Sequence, residues 1–149
     1  MRVLVTGINA AGRSCIVDEQ DVAPAPIAGL AGLRTARLWS ADQDLPARPQ
    51  QTGHFVNVQL APGALRWMVV EHDSHDHDGE PTTAGTMHHS DTLDLIVVLT
   101  GSTRLVLDDD ERELGPGDCV VMTGVDHALE AGSDGCRMMS FAIGTPAPG

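Results

Sequence analysis

The sequence predicts an all-β domain of double-sheet jelly-roll type, preceded by a strand-bearing N-terminal arm. Three observations carry this expectation. The 16 glycines and nine prolines punctuate the chain between short runs, as many turns and short strands require. Runs such as Val3-Leu4-Val5-Thr6 and Cys119-Val120-Val121-Met122 are aliphatic and β-branched, which suits a pleated, half-buried surface. A chain of 149 residues, 42% hydrophobic and 20% charged, is the size of one domain with one core. That core must be mostly aliphatic, because the aromatics are two Trp, two Phe and no Tyr.

The elements follow in order. Residues 2–6 read as a strand, 8–12 as a turn and 13–17 as the returning strand. Val3-Leu4-Val5-Thr6-Gly7 with Gly12 also looks like the opening of a dinucleotide fold, which needs a helix after its glycines. Ser14-Cys15-Ile16-Val17 follows instead, then Pro24 and Pro26, which a helix does not tolerate. Residues 18–52, rich in Pro, Ala, Gly and Asp, read as an arm with a strand at Leu33–Trp39, wrapping the barrel or covering a partner's edge. Strands are expected at His54–Leu60 and, after the Pro62-Gly63 turn, at Leu65–Glu71. Residues 72–86 read as a polar loop and 87–100 as a hairpin. Thr103–Leu107 and Arg112–Leu114 flank an acidic turn at Asp108–Asp110, and Asp118–Thr123 and Met138–Ile143 complete the strands. The whole, 1–149, reads as one domain: arm and flanking strands to about residue 60, barrel over 61–144, and a frayed tail over 145–149.

Charge narrows the function. The net charge is −12, and the basic residues are all arginine, scattered along the chain. No basic patch exists to neutralise phosphates, so neither nucleic acid nor an anionic membrane is expected as a partner. Without lysine or tyrosine, Schiff-base chemistry and phenolic acid–base chemistry are excluded. Proton transfer falls to His, Asp, Glu, Cys or water. Cys15, Cys119 and Cys136 are odd in number and lack C-x-x-C spacing, which fits reduced thiols. Cys119, inside an apolar run, reads as a core residue. The N-terminal run is broken at Gly7, too soon for a signal peptide, and no apolar run reaches transmembrane length. A cytoplasmic location is expected.

Two stretches carry the chemistry: His88-x-Ser90-x3-Asp94-x6-Gly101 and Pro116-Gly117-Asp118-x5-Gly124-x2-His127. If residues 88–94 form one strand, His88, Ser90, Thr92 and Asp94 share a face, and Ile96 and Val98 continue it as an apolar wall. Together the stretches resemble the two motifs of the cupin superfamily. His88 matches the first histidine of the first motif, Asp94 stands where the family has glutamate, and Gly101 matches the closing glycine. Ser90 occupies the position of the second histidine. Gly117, Gly124 and His127 match the second motif, which is one residue shorter here and carries Thr123 in place of its proline. Met87-His88-His89-Ser90-Asp91-Thr92-Leu93-Asp94 and Val97-Val98-Leu99-Thr100-Gly101 are similar to a subgroup of small cupins reading MHRTDTxDY-x-VVLxG. The opening Val3–Gly7 with Gly12-Arg13-Ser14 also resembles the start of that subgroup.

The resemblance implies a barrel whose strands bring His88, Asp94 and His127 to one cavity, with Ser90, Thr92 and Ile96 lining a substrate site. Two histidines and a carboxylate suit a divalent transition metal, Fe, Mn, Zn or Ni. Such an ion would polarise a carbonyl or enol oxygen of a small organic substrate, for dioxygenase, decarboxylase, isomerase or cyclase chemistry. The metal-free reading keeps the residues and makes His127 or His88 the proton carrier, oriented by Asp94. No organic cofactor is expected, and a homodimer through the arm is. A binding or sensing module without catalysis remains the rival, since one barrel serves both ends. A cupin kept only for structure, its pocket filled by side chains, is the third possibility.

Other polar groups have plainer readings. His89 has the opposite parity and is expected at the surface or an interface. His54 reads as structural. His72-Asp73-Ser74-His75-Asp76-His77-Asp78 reads as a solvated loop, with a metal site or lid over the mouth as the alternative. Asp108–Glu111 reads as a hairpin tip, with weak Ca²⁺ binding as its alternative. Arg66 and Arg104, on strands, are expected to face solvent; an inward arginine would clamp a substrate carboxylate.

Overall fold

The computed structural model describes residues 1–41, 45, 48–74 and 86–147. Among them the chain forms β1 (Arg2–Ile8), β2 (Ser14–Asp21), β3 (Ala25–Pro26), β4 (Arg34–Thr35), β5 (His54–Phe55), β6 (Leu65–His72), β7 (His88–His89), β8 (Thr92–Val106), β9 (Glu111–Leu114), β10 (Cys119–Met122) and β11 (Ala128–Gly144), with no helix. The all-β class expected from the sequence is therefore observed. The main sheet has seven strands in the order β2-β1-β10-β8-β11-β6, with β9 also on β8. β1 and β10 run parallel, and the other pairs in this sheet are antiparallel. Two small pairs, β3 with β4 and β5 with β7, stand apart. Among the described residues no sheet closes into a barrel.

The long strands β8 and β11 form the spine and account for the bend of the sheet. β8 pairs with β11 from Thr92 to Val106. Its other edge pairs first with β10, over Asp94–Val97, and then with β9, over Thr103–Val106. Between these two segments lies Gly101, at φ +72° and opposite Cys136. A Cβ on Gly101 would lie 2.1 Å from the carbonyl oxygen of Gly135, so only glycine fits this bulge. The bend folds Leu105, Leu107 and Leu114 onto Leu4, Val98, Val120, Met122 and Val125, all buried in one aliphatic cluster. Packing this cluster is the main source of stability.

Several expected elements differ. Residues 87–100 do not form a hairpin: β7 is a separate two-residue strand, and Ser90-Asp91 interrupts the ladder before β8 begins. The strand expected at His54–Leu60 is regular only at His54–Phe55. Beyond it the Asn57 side chain accepts the Gln59 amide at 2.8 Å and Gln59 turns to φ +55°, a local bond that competes with a sheet ladder. Leu33–Trp39 shortens to the exposed pair Arg34–Thr35. The acidic tip is engaged by β2 and the turn before it. Asp108 and Asp110 accept the amides of Ser14 and Ile16, and Asp109 pairs with Arg13 at 2.7 Å. Thr145, where the tail begins, is buried and bonded to Asp91 through its amide.

The two faces of the sheet differ. Rows such as Arg66–Ala142–Asp94–Met122 lie on the inner face. On the outer face Trp67–Phe141–Leu95–Val121 makes an apolar row. Leu38 and Trp39 of the arm border the groove on that face. Leu65, Trp67 and Val69 on edge strand β6 remain 60%, 71% and 51% exposed. No helix among the described residues is long and apolar enough to cross a membrane.

Candidate functional site

A cavity of about 240 Å³ opens on the inner face, and the residues singled out in the sequence meet there. His88, Ser90, Thr92, Asp94, Ile96 and His127 all line it. The break in the strand at Ser90-Asp91 does not scramble their parity. Apolar walls come from Val56, Val58 and Leu60 of the arm, Met68 and Val70 of β6, and Met138 and Ala142 of β11, with Arg66, His72 and Ser140 as further polar lining. Val98, expected to continue the wall, belongs instead to the buried core cluster.

A backbone bridge holds the two histidines. His88 and His127 exchange both amide bonds, at 2.9 and 2.8 Å, and their rings lie 4.6 Å apart, tilted by 50°. Gly124 makes the turn into this bridge at φ +71°, where a Cβ would crowd the carbonyl oxygens of Ser90 and Thr92 at 3.0 and 3.2 Å. Each imidazole uses Nδ1 on a nearby carbonyl: His88 on Thr86 O and His127 on Val125 O, both at 2.8 Å. A carbonyl only accepts, so Nδ1 of each ring carries a proton, and in a neutral ring Nε2 then presents the lone pair. Neither Nε2 has a hydrogen-bond partner among the described residues. Burial pushes the His127 pKa down to about 4, against a weaker raising effect of the Val125 bond and with a further lowering from His88. His127 is thus a neutral acceptor near pH 7.

Asp94 is held separately. Thr92 Oγ1 donates to Oδ2 at 2.5 Å and Ser140 Oγ to Oδ1 at 3.3 Å. The Ser90 hydroxyl stands 2.8 Å from that of Thr92. With the Thr92 proton on Asp94, Ser90 donates to Thr92 and completes a hydroxyl relay. Burial raises the Asp94 pKa, outweighing the lowering by these hydroxyls and by His88. The expected role of Asp94 in orienting a histidine is corrected here. The carboxyl bonds to hydroxyls, and backbone carbonyls orient both rings. Ser90 and Thr92 are likewise occupied in fixing Asp94.

The donor set partly suits a divalent metal. Two Nε2 lone pairs, with their Nδ1 atoms anchored on carbonyls, are the usual presentation of ligating imidazoles. Among the described residues, however, no group of three or more His, Cys, Asp or Glu side chains comes together as a metal site. Asp94 does not join the two rings in such a group. Of the His72–Asp78 run, His72, Asp73 and Ser74 are described, and His75 to Asp78 lie outside the described residues. His72 lines the cavity.

His89 requires a second correction. It faces away from the cavity as its parity implies, but it is buried rather than at the surface. Its Nδ1 lies 2.7 Å from Asp126 Oδ1. Asp126 Oδ2 accepts the Gly53 amide at 3.1 Å, and the Asp126 amide donates to Gln51 Oε1 at 2.8 Å. Phe55, under the guanidinium of Arg48, covers the His89 ring. The arm thus buries a polar pair whose partner, one residue before His127, sequence spacing did not single out.

Arg104, expected in solvent, is part-exposed and paired with Glu130 and Glu111. Arg66 is exposed, as expected, and also borders the cavity. Its alternation with Met68, Val70 and His72 along β6 was the legible signal for this face. Ser140 was missed because nothing marks it in sequence beyond its parity with Met138 and Ala142. No protein-family model matches the chain, and no curated protein matches it.

Proposed function

We propose that the chain is a cupin-type enzyme that moves a proton on a small organic molecule held in the inner cavity. One observation carries the reading: the two cupin-like stretches bring the His88 and His127 imidazoles, with both Nε2 atoms unbonded among the described residues, and a desolvated Asp94 carboxyl to the lining of one cavity. His127 Nε2 is the base. It takes a proton from a carbon next to a substrate carbonyl, and His88 shares the acceptor site. Asp94, whose buried carboxyl favours its protonated form, donates to the developing enol oxygen. The relay from Ser90 through Thr92 holds that carboxyl in place. The pattern suits isomerase, cyclase or decarboxylase chemistry.

The metal reading is kept because both Nδ1 atoms are anchored on carbonyls. A divalent transition metal on His88 and His127 would supply Lewis-acid polarisation of a substrate oxygen, or dioxygen chemistry if redox-active. The homodimer draws support from the exposed apolar face of Leu65, Trp67 and Val69 beside the arm. The cytoplasmic assignment draws it from the free thiols Cys15, Cys119 and Cys136.

The test is NMR-detected exchange of α-protons into D₂O across a panel of small ketones and β-keto acids, using untagged protein. Exchange falling 10²-fold or more in His127→Ala and in Asp94→Ala, and unaffected by chelator, is the expected result. Saturable binding with no exchange or product identifies the non-catalytic binder. Near-stoichiometric metal by elemental analysis, lost in His88→Ala and His127→Ala, moves the chemistry to the ion.

A further inference from the structure

We infer that the cavity takes a small organic anion, its carboxylate held by Arg66 at the mouth and its reacting end beneath His88, His127 and Asp94. The inference deepens the reading of this cavity as a small-molecule site and rests on it. Arg66 is the one arginine among the lining residues. Arg2, Arg13, Arg104, Arg112 and Arg137 each lie against a carboxylate. Arg34, Arg37, Arg48 and Arg66 have no such partner among the described residues, and of these four Arg66 alone lines the cavity. Its one hydrogen bond among the described residues is from Nη1 to the carbonyl of Val58, at 3.2 Å. That bond fixes the guanidinium against the arm wall and leaves the Nε and Nη2 donors open, the fork that matches a carboxylate.

Register places this cation relative to the proposed chemistry. Arg66 is level with Ala142 on β11, and Ala142 is level with Asp94 on β8. Two strand spacings separate Arg66 from Asp94, roughly 10 Å between Cα atoms. Ala142, between them, has a short side chain and leaves the floor open. Asp94 is bonded to Thr92 and Ser140, so cation and carboxyl do not cancel each other. The walls between are aliphatic or thioether: Val56, Leu60, Met68, Met138. A ligand that satisfies all of this has an anionic head, a short apolar body and an oxygen-bearing reactive end. The cavity, at about 240 Å³, lies below the usual volume of a drug-sized pocket, which limits the ligand to a small acid.

The probes are benzoate and its neutral isostere benzamide, titrated by calorimetry and by ligand-observed NMR against four proteins: wild type, Arg66→Met, Arg66→Lys and Ala142→Leu. Benzoate binding wild type about tenfold more tightly than benzamide is the expected result. The preference should vanish in Arg66→Met, survive in part in Arg66→Lys, and shrink as NaCl is added. Ala142→Leu, which fills the floor, should weaken both probes; its melting curve checks that it folds. Equal affinity of wild type for the two probes, with both weakened by Ala142→Leu, overturns the anion inference and leaves the cavity reading standing. A benzoate preference that persists in Arg66→Met also overturns it. Failure of both probes to bind wild type overturns the inference and the cavity reading together.

Discussion

One backbone bridge presents two side-chain pairs on opposite faces, His88 with His127 and His89 with Asp126, and they are built to different ends. His88 and His127 face the cavity. Their Nδ1 atoms are spent on carbonyls, their Nε2 atoms have no partner among the described residues, and no carboxylate bonds to either ring. One residue away, His89 and Asp126 face the arm and bond to each other at 2.7 Å. Asp126 also accepts the Gly53 amide on Oδ2 and donates its own backbone amide to Gln51. Adjacent residues of the same type therefore differ in role because of what lies across from them. A pair closed on itself under cover fastens the arm, whose Val56, Val58 and Leu60 wall the cavity. A pair with unspent lone pairs toward a hollow is equipped for a ligand.

Removing the closed pair should have the largest effect on stability. Asp126→Ala strips two acceptor bonds and leaves the His89 ring buried without its partner, which should cost about 3–5 kcal/mol in urea unfolding. A loss below about 1 kcal/mol would mean that the arm is not fastened there. The open pair should appear next, through pH. His127 titrates near pH 4 in the fold and near 6.5 when unfolded, so the unfolded chain binds the extra proton between those values. Its contribution to stability is complete above about pH 6.5 and is lost as pH falls toward 4, about 3 kcal/mol in all. His127→Gln should flatten that part of the stability–pH curve.

Smaller effects sharpen the contrast. His88→Ala removes a half-buried ring with one side-chain bond among the described residues, to Thr86 O, and should change stability by no more than about 1 kcal/mol while weakening the proposed chemistry. Asp94→Asn should have the opposite sign from Asp126→Ala. Burial raises the Asp94 pKa, so its ionised form is disfavoured in the fold above that raised value. The substitution should raise the urea midpoint slightly at pH 8, and the gain should shrink as pH falls through the raised native pKa and vanish below the ordinary carboxylate range, where the unfolded chain is protonated too. A midpoint lowered at pH 8 would show the carboxylate to be well stabilised by Thr92 and Ser140.

Much of the inner face was legible because strand parity is a local rule. The alternation of His88, Ser90, Thr92, Asp94 and Ile96 survived the break at Ser90-Asp91, since the chain stays extended through it. Arg66 could be read from the same alternation along β6, but whether its face was wet or walled depended on the arm. His89 was misjudged for that reason: parity told which way it points, and only the packed arm tells what it meets. The expected strand at His54–Leu60 failed where the Asn57 side chain captured a nearby amide, a competition that composition does not reveal. The length of β8 and β11 was underestimated because Gly101 and Gly135 look like turn residues, yet here they bend a strand pair without ending it.

By itself the amino-acid order determined the all-β class, the aliphatic make-up of the core, the want of lysine and tyrosine chemistry, and the polar-then-apolar rhythm leading from His88. All of these follow from side-chain chemistry and a two-residue period, which need no knowledge of distant neighbours. The tertiary structure alone decided that His88 meets His127, that Asp126 closes on His89, and that Arg66 borders the cavity with no carboxylate partner among the described residues. Those outcomes depend on which strands become neighbours and which surfaces lose water, and burial and pairing across the chain are set only when the whole sheet is packed.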